Sequence, residues 1–169
     1  MILKILLPLF VFGNVSAEAK SLSRAEVLEL VDSLGLGNAD HRHSVRMDFE
    51  PVQNMLLLAG VHCSLFVVQV GPDEKLLQKL PTRYSGSYCR IKSIGFHDLD
   101  ADGDKDMLVI SESRTGGAGE FMYFDVADGY RNTGSAQEPF EHLPQWADGS
   151  DASKGFQKVL RWAKKNPMP

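Results

Sequence analysis

Polar and apolar positions along the chain predict a short helix, then a run of strands, then a second helix. Ser23 reads as an N-cap, Glu26 three residues on completes a capping box, and Leu22 and Val27 are placed as a hydrophobic staple. Val27, Leu30, Val31 and Leu34 then recur at helical spacing, and Gly35 or Gly37 supplies the stop. A polar stretch over residues 38–44 leads into the alternation Val45, Met47, Phe49, a half-buried strand that Pro51 ends. Asp48 and Glu50 alternate with these apolar neighbours and read as the solvated side of that strand, not as an acid–base pair. Residues 55–59 and 63–70 are rich in aliphatic and β-branched side chains and predict two more strands, with Gly71-Pro72-Asp73 as the turn out of the second. Residues 76–80 fit a helical turn and a strand equally. Further strands are predicted over 88–96, 107–111 and 121–126, with Asp128-Gly129 as a tight turn and residues 132–150 as loop. The chain closes with a basic amphipathic helix that carries Phe156, Val159, Leu160 and Ala163 on one face and is stopped at Asn166-Pro167.

These elements define an α+β, mainly β chain: a single antiparallel β domain over residues 18–169, a sandwich or a small propeller-like sheet, with an N-terminal and a C-terminal helix. No internal repeat is visible, which excludes a repeat array or a full-size propeller. Of the 169 residues, 43% are hydrophobic and 24% charged, the composition of an ordinary globular protein.

The first residues carry a different pattern. Lys4 gives a positive start, residues 5–15 are mostly apolar, and Val15-Ser16-Ala17 offers small residues at a cleavage point, so residues 1–17 read as a signal peptide cut after Ala17. The apolar run is well short of the roughly 20 residues that span a bilayer, and no cysteine follows the cut for lipid attachment. A periplasmic location is expected, with no membrane span in the mature chain. The net charge of −4 disfavours a nucleic-acid partner. Export also changes the meaning of the two cysteines, because an oxidising compartment permits disulfides. Cys63 and Cys89 are expected to pair, closing a loop that stabilises the fold by about 3.5 kcal/mol on chain-entropy grounds; two buried free thiols are the alternative.

The densest chemistry lies at Asp98-Leu-Asp-Ala-Asp-Gly-Asp-Lys-Asp106. Carboxylates fall at positions one, three, five and nine of this run, with Gly103 at six where the chain must turn sharply and Asp104 placed to add its backbone carbonyl. A hard cation takes six to eight oxygens at about 2.3–2.6 Å, and alternate side chains of a curled loop converge on such a point. An EF-hand would need Glu at position twelve, which here is Val109, so the loop enters a strand and not a second helix. Calcium (Ca2+) is the expected cofactor, held by Asp98, Asp100, Asp102, Asp104 and Asp106. The pattern D-x-D-x-D-G-x-x-D followed by an aliphatic strand resembles the calcium loops of FG-GAP and VCBS-type β proteins. That resemblance covers about fifteen residues and implies that Asp98, Asp100, Asp102 and Asp106 bind calcium in a bracing role.

Zinc is not supported, since His41 and His43 lie in a polar connector and the Cys63 beside His62 has a disulfide partner in prospect. No G-x-S-x-G nucleophile elbow occurs, and a binding role is expected in place of catalysis. Two glycine-bearing loops combine mobile backbone with aromatics: Ser85-Gly86-Ser87-Tyr88, and the segment with Gly116, Gly117, Glu120 and Phe121. Glycine lets backbone approach a partner closely, and Tyr and Phe give large contact area at low entropic cost; plain hairpin turns are the alternative. The order of leader, small β domain, one aspartate loop, strand and Gly-Gly-x-Gly segment resembles periplasmic immunity proteins, and Ser85-Gly86-Ser87 resembles the Ser-Gly-Ser loop of bacterial lysozyme inhibitors. The resemblance implies inhibition of a secreted peptidoglycan hydrolase through an exposed loop. The alternative is a calcium-braced structural or adhesion component of the envelope. The basic face of the last helix, with Lys158, Arg161, Lys164 and Lys165, reads as solvated.

Overall fold

The computed structural model describes residues 20–21, 23–37, 40–47, 49, 54–71, 74–83, 88–116 and 120–169. The expected leader, Leu22, Asp48, Glu50, Ser85, Gly86, Ser87 and Gly117 lie outside these residues.

Strand β1 (Lys20–Ser21) precedes helix α1 (Arg24–Leu34), which starts as its caps dictate: the Glu26 N–H donates to Ser23 Oγ at 3.3 Å and the Ser23 N–H to Glu26 Oε2 at 2.8 Å. Gly35 ends it in the left-handed conformation at φ 63°, which costs a glycine little. Strands β2 (Val45–Met47), β3 (Met55–Ala59), β4 (Leu65–Gln69) and β5 (Lys75–Leu80) follow and pair with β1 in the order β1-β2-β3-β4-β5. Strands β6 (Cys89–His97), β7 (Asp106–Thr115), β8 (Met122–Asn132) and β9 (Phe140–Leu143) form a second sheet in the order β6-β7-β8-β9, and helix α2 (Phe156–Ala163) closes the chain. All pairings are antiparallel between consecutive strands.

Alternation explains the layers. Met55, Leu57 and Ala59 of β3 meet Leu65 and Val67 of β4 and, from the other sheet, Met107 and Val109 of β7, Tyr130 and Phe140. The intervening side chains point the opposite way: Leu56, Leu58 and Val68 pack on Val27, Leu30 and Val31 of α1. On the second sheet, Leu108 and Ile110 pack on Val159, Leu160 and Ala163 of α2. The molecule is therefore an α/β/β/α stack, in which a strand buried on both faces reads as a continuous apolar run. Each such Leu, Val or Ile contributes roughly 1.5–3 kcal/mol on burial.

The Cys63–Cys89 disulfide joins the two sheets, with Cα atoms 5.4 Å apart. Gln78 of β5 clips the opposite side, donating to the Phe140 carbonyl at 2.6 Å and accepting the Phe140 N–H at 3.2 Å.

Several elements differ from expectation for tertiary reasons. Residues 76–80 are strand, supplied with a partner by β4. Cys63 belongs to a 3-10 turn over Val61–Cys63, and β4 starts at Leu65. Asp128-Gly129 is not a turn: both lie inside the eleven-residue β8. The buried Asp128 carboxylate is satisfied there by His142 at 2.9 Å and by Arg83 at 3.6 Å. Gly129 is small because a Cβ would collide with the Trp146 ring. The expected loop over 132–150 contains β9 and a 3-10 turn over Trp146–Gly149.

Candidate metal loop and recognition tip

Residues 98–105 connect β6 to β7, two neighbouring strands, so the loop must reverse the chain within eight residues. It does so through successive aspartate turns. Asp98 Oδ1 accepts the Ala101 N–H at 2.7 Å, Asp100 Oδ1 the Asp102 N–H at 3.1 Å, and Asp102 Oδ1 the Asp104 N–H at 2.8 Å. Ala101 and Gly103 take positive φ values of 68° and 97°. Asp106, the first residue of β7, is fully buried and its carboxylate accepts the Leu99 N–H and the Asn132 N–H, each at 2.8 Å.

This folding brings carboxylate oxygens of Asp98, Asp100 and Asp106 within 4.8 Å of one another. Asp102 is exposed and lies outside that trio, and Asp104 is half-buried. Burial, and then the negative charge of Asp100 and Asp102, push the Asp106 carboxyl up to about 6 against the pull of its two backbone hydrogen bonds. Asp100 is raised as well, by burial and by its neighbours Asp102 and Asp98. The trio offers oxygen donors only, with no nitrogen or sulfur, and gathers negative charge at one point. That donor chemistry fits a hard divalent cation of the calcium type, whose charge would remove the repulsion.

The loop is also seated. Leu99, between two of the acids, is buried in the cluster with α2, and its carbonyl accepts the Met168 N–H at 2.9 Å.

At the other end of β7, Tyr88, Arg114, Phe121 and Tyr123 gather. With a rise of about 3.4 Å per residue, that end lies about 30 Å from the aspartate loop. Arg114 holds the junction: its N–H donates to the Tyr88 carbonyl at 3.3 Å, and its guanidinium lies 5.0 Å from the Tyr88 ring and 4.2 Å from the Phe121 ring. Tyr88 and Tyr123 meet edge to face at 5.5 Å. Phe121, Met122 and Tyr123 are 47%, 70% and 55% exposed, a contiguous apolar run left in water. Gly116 takes φ 114° and faces the Glu120 carbonyl so closely that any Cβ would clash, which makes the glycine a steric requirement of this turn. Glu120 itself is exposed.

Of the expected recognition residues, Tyr88, Gly116, Glu120 and Phe121 thus lie at this tip. Sequence reading missed Arg114 and Tyr123, which belong to strands and carry no loop signal. The one available clue was the face switch along β7, where Leu108 and Ile110 give way to Glu112 and Arg114 at the same period of two. Beyond the reach of α2 this face carries an ion-pair ladder, Arg90 with Glu112 at 2.8 Å and Lys92 with Asp125 at 2.8 Å.

Of the histidines considered for zinc, His43 places Nδ1 2.9 Å from Asp40 and Nε2 3.2 Å from the Lys92 carbonyl, and the Cys63 beside His62 is consumed by the disulfide.

No protein-family model, no curated protein and no solved structure matches this chain.

Proposed function

We propose that this chain is a periplasmic binding protein, braced by calcium at the aspartate loop, that acts as an immunity protein or inhibitor of a secreted peptidoglycan hydrolase. The observation that carries the reading is the tip: Tyr88, Arg114, Phe121 and Tyr123, distant in sequence, stack together beside the exposed run Phe121, Met122 and Tyr123. Tyr and Arg dominate the binding energy of protein interfaces, and stacking fixes their rotamers before a partner arrives. The disulfide at Cys89, next to Tyr88, anchors the base of the same edge. Calcium sits about 30 Å away, at the other end of β7, so its role is to brace and not to contact the partner. Asp98, Asp100 and Asp106 would hold it directly, with the Asp104 backbone carbonyl and Asp102 completing the shell.

The test uses the chain from residue 18 as bait against secreted and periplasmic extracts, in calcium and in chelator, followed by inhibition assays on any captured hydrolase. Capture of a peptidoglycan hydrolase is expected, with Arg114→Ala weakening inhibition by tenfold or more, about 1.4 kcal/mol, while the melting temperature stays unchanged. Recovery of envelope glycan or of the protein itself, with no hydrolase, would move the assignment to a structural envelope component. Calcium at about a hundred times its dissociation constant stabilises by about 2.7 kcal/mol, worth roughly 5–10 °C at this chain length. Asp100→Ala with Asp102→Ala should abolish that increment.

A further inference from the structure

Charge is segregated along this chain. Residues 154–169 hold five Lys and Arg and no acid, whereas residues 1–153 hold thirteen Lys and Arg against twenty-two Asp and Glu, a net of +5 against −9. Helix α2 turns its apolar side into the core through Val159, Leu160 and Ala163. At 100° per residue, Lys158, Arg161 and Lys165 then fall within about 60° of arc on the opposite side. Lys154 and Lys164 flank them, and all five are exposed. Only Lys154 has a carboxylate partner among the described residues, Asp151 at 3.7 Å.

Beside this stripe lies an apolar shelf. Trp162, one turn after Lys158, meets Trp146 edge to face at 5.5 Å, and the Trp146 Nε1–H donates to the Asn166 carbonyl at 2.9 Å. Leu143, Pro144, Gln145, Trp146 and Pro169 line an open depression of about 400 Å³. Indole rings and prolines next to unpaired lysine and arginine suit the boundary between water and lipid, where the aromatic body leaves water and the cations face headgroup phosphate.

We propose that the α2 stripe and the Trp146 shelf form a docking surface for an anionic phospholipid bilayer. The surface is peripheral: among the described residues no helix is long and apolar enough to cross a membrane. A bilayer fits better than a soluble polyanion because a polyanion has no use for the apolar shelf. The acidic remainder of the chain is repelled from the same surface, which orients the molecule with α2 against the membrane. This inference does not depend on the tip or on its partner.

The experiment is co-sedimentation of the chain from residue 18 with phosphatidylcholine vesicles, with and without phosphatidylglycerol, at low and high salt. Binding to the phosphatidylglycerol vesicles alone, lost at high salt, is expected. Each basic residue near an anionic surface contributes roughly fivefold in partitioning, so Lys158→Glu with Arg161→Glu and Lys165→Glu should lower it by about a hundredfold or more. All three side chains are exposed, and the variant should melt as the parent does. Trp146→Ala should weaken binding several-fold; should it fail to fold, Gln145→Glu, which places a negative charge on the exposed rim of the shelf, reads the same surface. Absence of binding, equal binding to pure phosphatidylcholine, or insensitivity to the triple variant would overturn the proposal. So would competition by soluble polyphosphate with no effect of either shelf variant, which would assign the stripe to a polyanion.

Discussion

Asp40 shows how one residue ties a connector to both sheets: its N–H donates to the Ala59 carbonyl of β3 at 2.5 Å. Its carboxylate accepts the Arg42 N–H and Nε–H, each at 3.1 Å, and faces His43 Nδ1 at 2.9 Å, while His43 reaches the Lys92 carbonyl of β6 with its other nitrogen. Burial opposes ionisation of Asp40, but the bonds from Arg42 and His43 outweigh it and hold the carboxyl at about 2, below the ordinary 3.8. Between those values the unfolded chain binds the proton more readily than the folded one. The contribution is therefore complete above about pH 4 and is lost as the pH falls through about 2. Asp40→Asn should melt lower than the parent at neutral pH, and the gap should close as pH falls from 4 toward 2. Parallel thermal melts across that range check it; a gap independent of pH would assign Asp40 a role that does not involve its charge.

At the scale of elements, the aspartate loop and α2 are one mechanical unit. Asp106 fixes the Leu99 N–H, the Leu99 side chain is buried with Val159, Leu160 and Ala163, and the Leu99 carbonyl holds Met168. Phe156 locks the start of the helix against Gly95, where any Cβ would collide with the ring. On the proposed calcium binding, withdrawal of the ion should loosen the C-terminal segment before it loosens the sheets. Hydrogen exchange is expected to accelerate over residues 156–168 in chelator, with β3 and β4 little changed. Uniform acceleration would mean that the loop braces the whole stack equally. Leu99→Ala should cost about 2–5 kcal/mol and raise exchange in the same segment even with calcium present.

The whole molecule is two antiparallel meanders held face to face, one over residues 20–80 and the other over residues 89–143. Each is built from local pairings, so their mutual placement depends on the shared core, the Gln78 clip and the disulfide. The disulfide closes a separation of 26 residues, worth about 3.5 kcal/mol on chain-entropy grounds. Replacing both cysteines by alanine should lower the melting temperature by on the order of 10 °C. Because Cys89 adjoins Tyr88, the same variant should weaken partner binding by more than the loss of folded protein explains. Binding measured well below the melting transition separates the two effects; unchanged affinity would mean that the tip is organised by Arg114 alone.

Features set by a few neighbouring residues were legible in the sequence. The Ser23–Glu26 capping box, the Gly35 stop, the apolar face of α2 and the aliphatic runs of β3, β4 and β7 follow from local hydrogen bonding and side-chain type. The mainly β class with a helix at each end follows from their sum. The convergence of Asp98, Asp100 and Asp106 was legible for the same reason, since one tight turn sets it, and the disulfide was expected from two cysteines and the reading of the first residues as an export signal. Other features needed a partner from far along the chain. Residues 76–80 became strand because β4 was there to pair with. Asp128-Gly129 stayed extended because β7 and β9 pair with β8 there, while His142 and Arg83 meet the buried Asp128 carboxylate. Arg114 met Tyr88, 26 residues earlier, only because β6 and β7 lie side by side. Period and propensity report which face of a segment is buried; only tertiary structure decides against what, because that depends on contacts whose members are not neighbours in sequence.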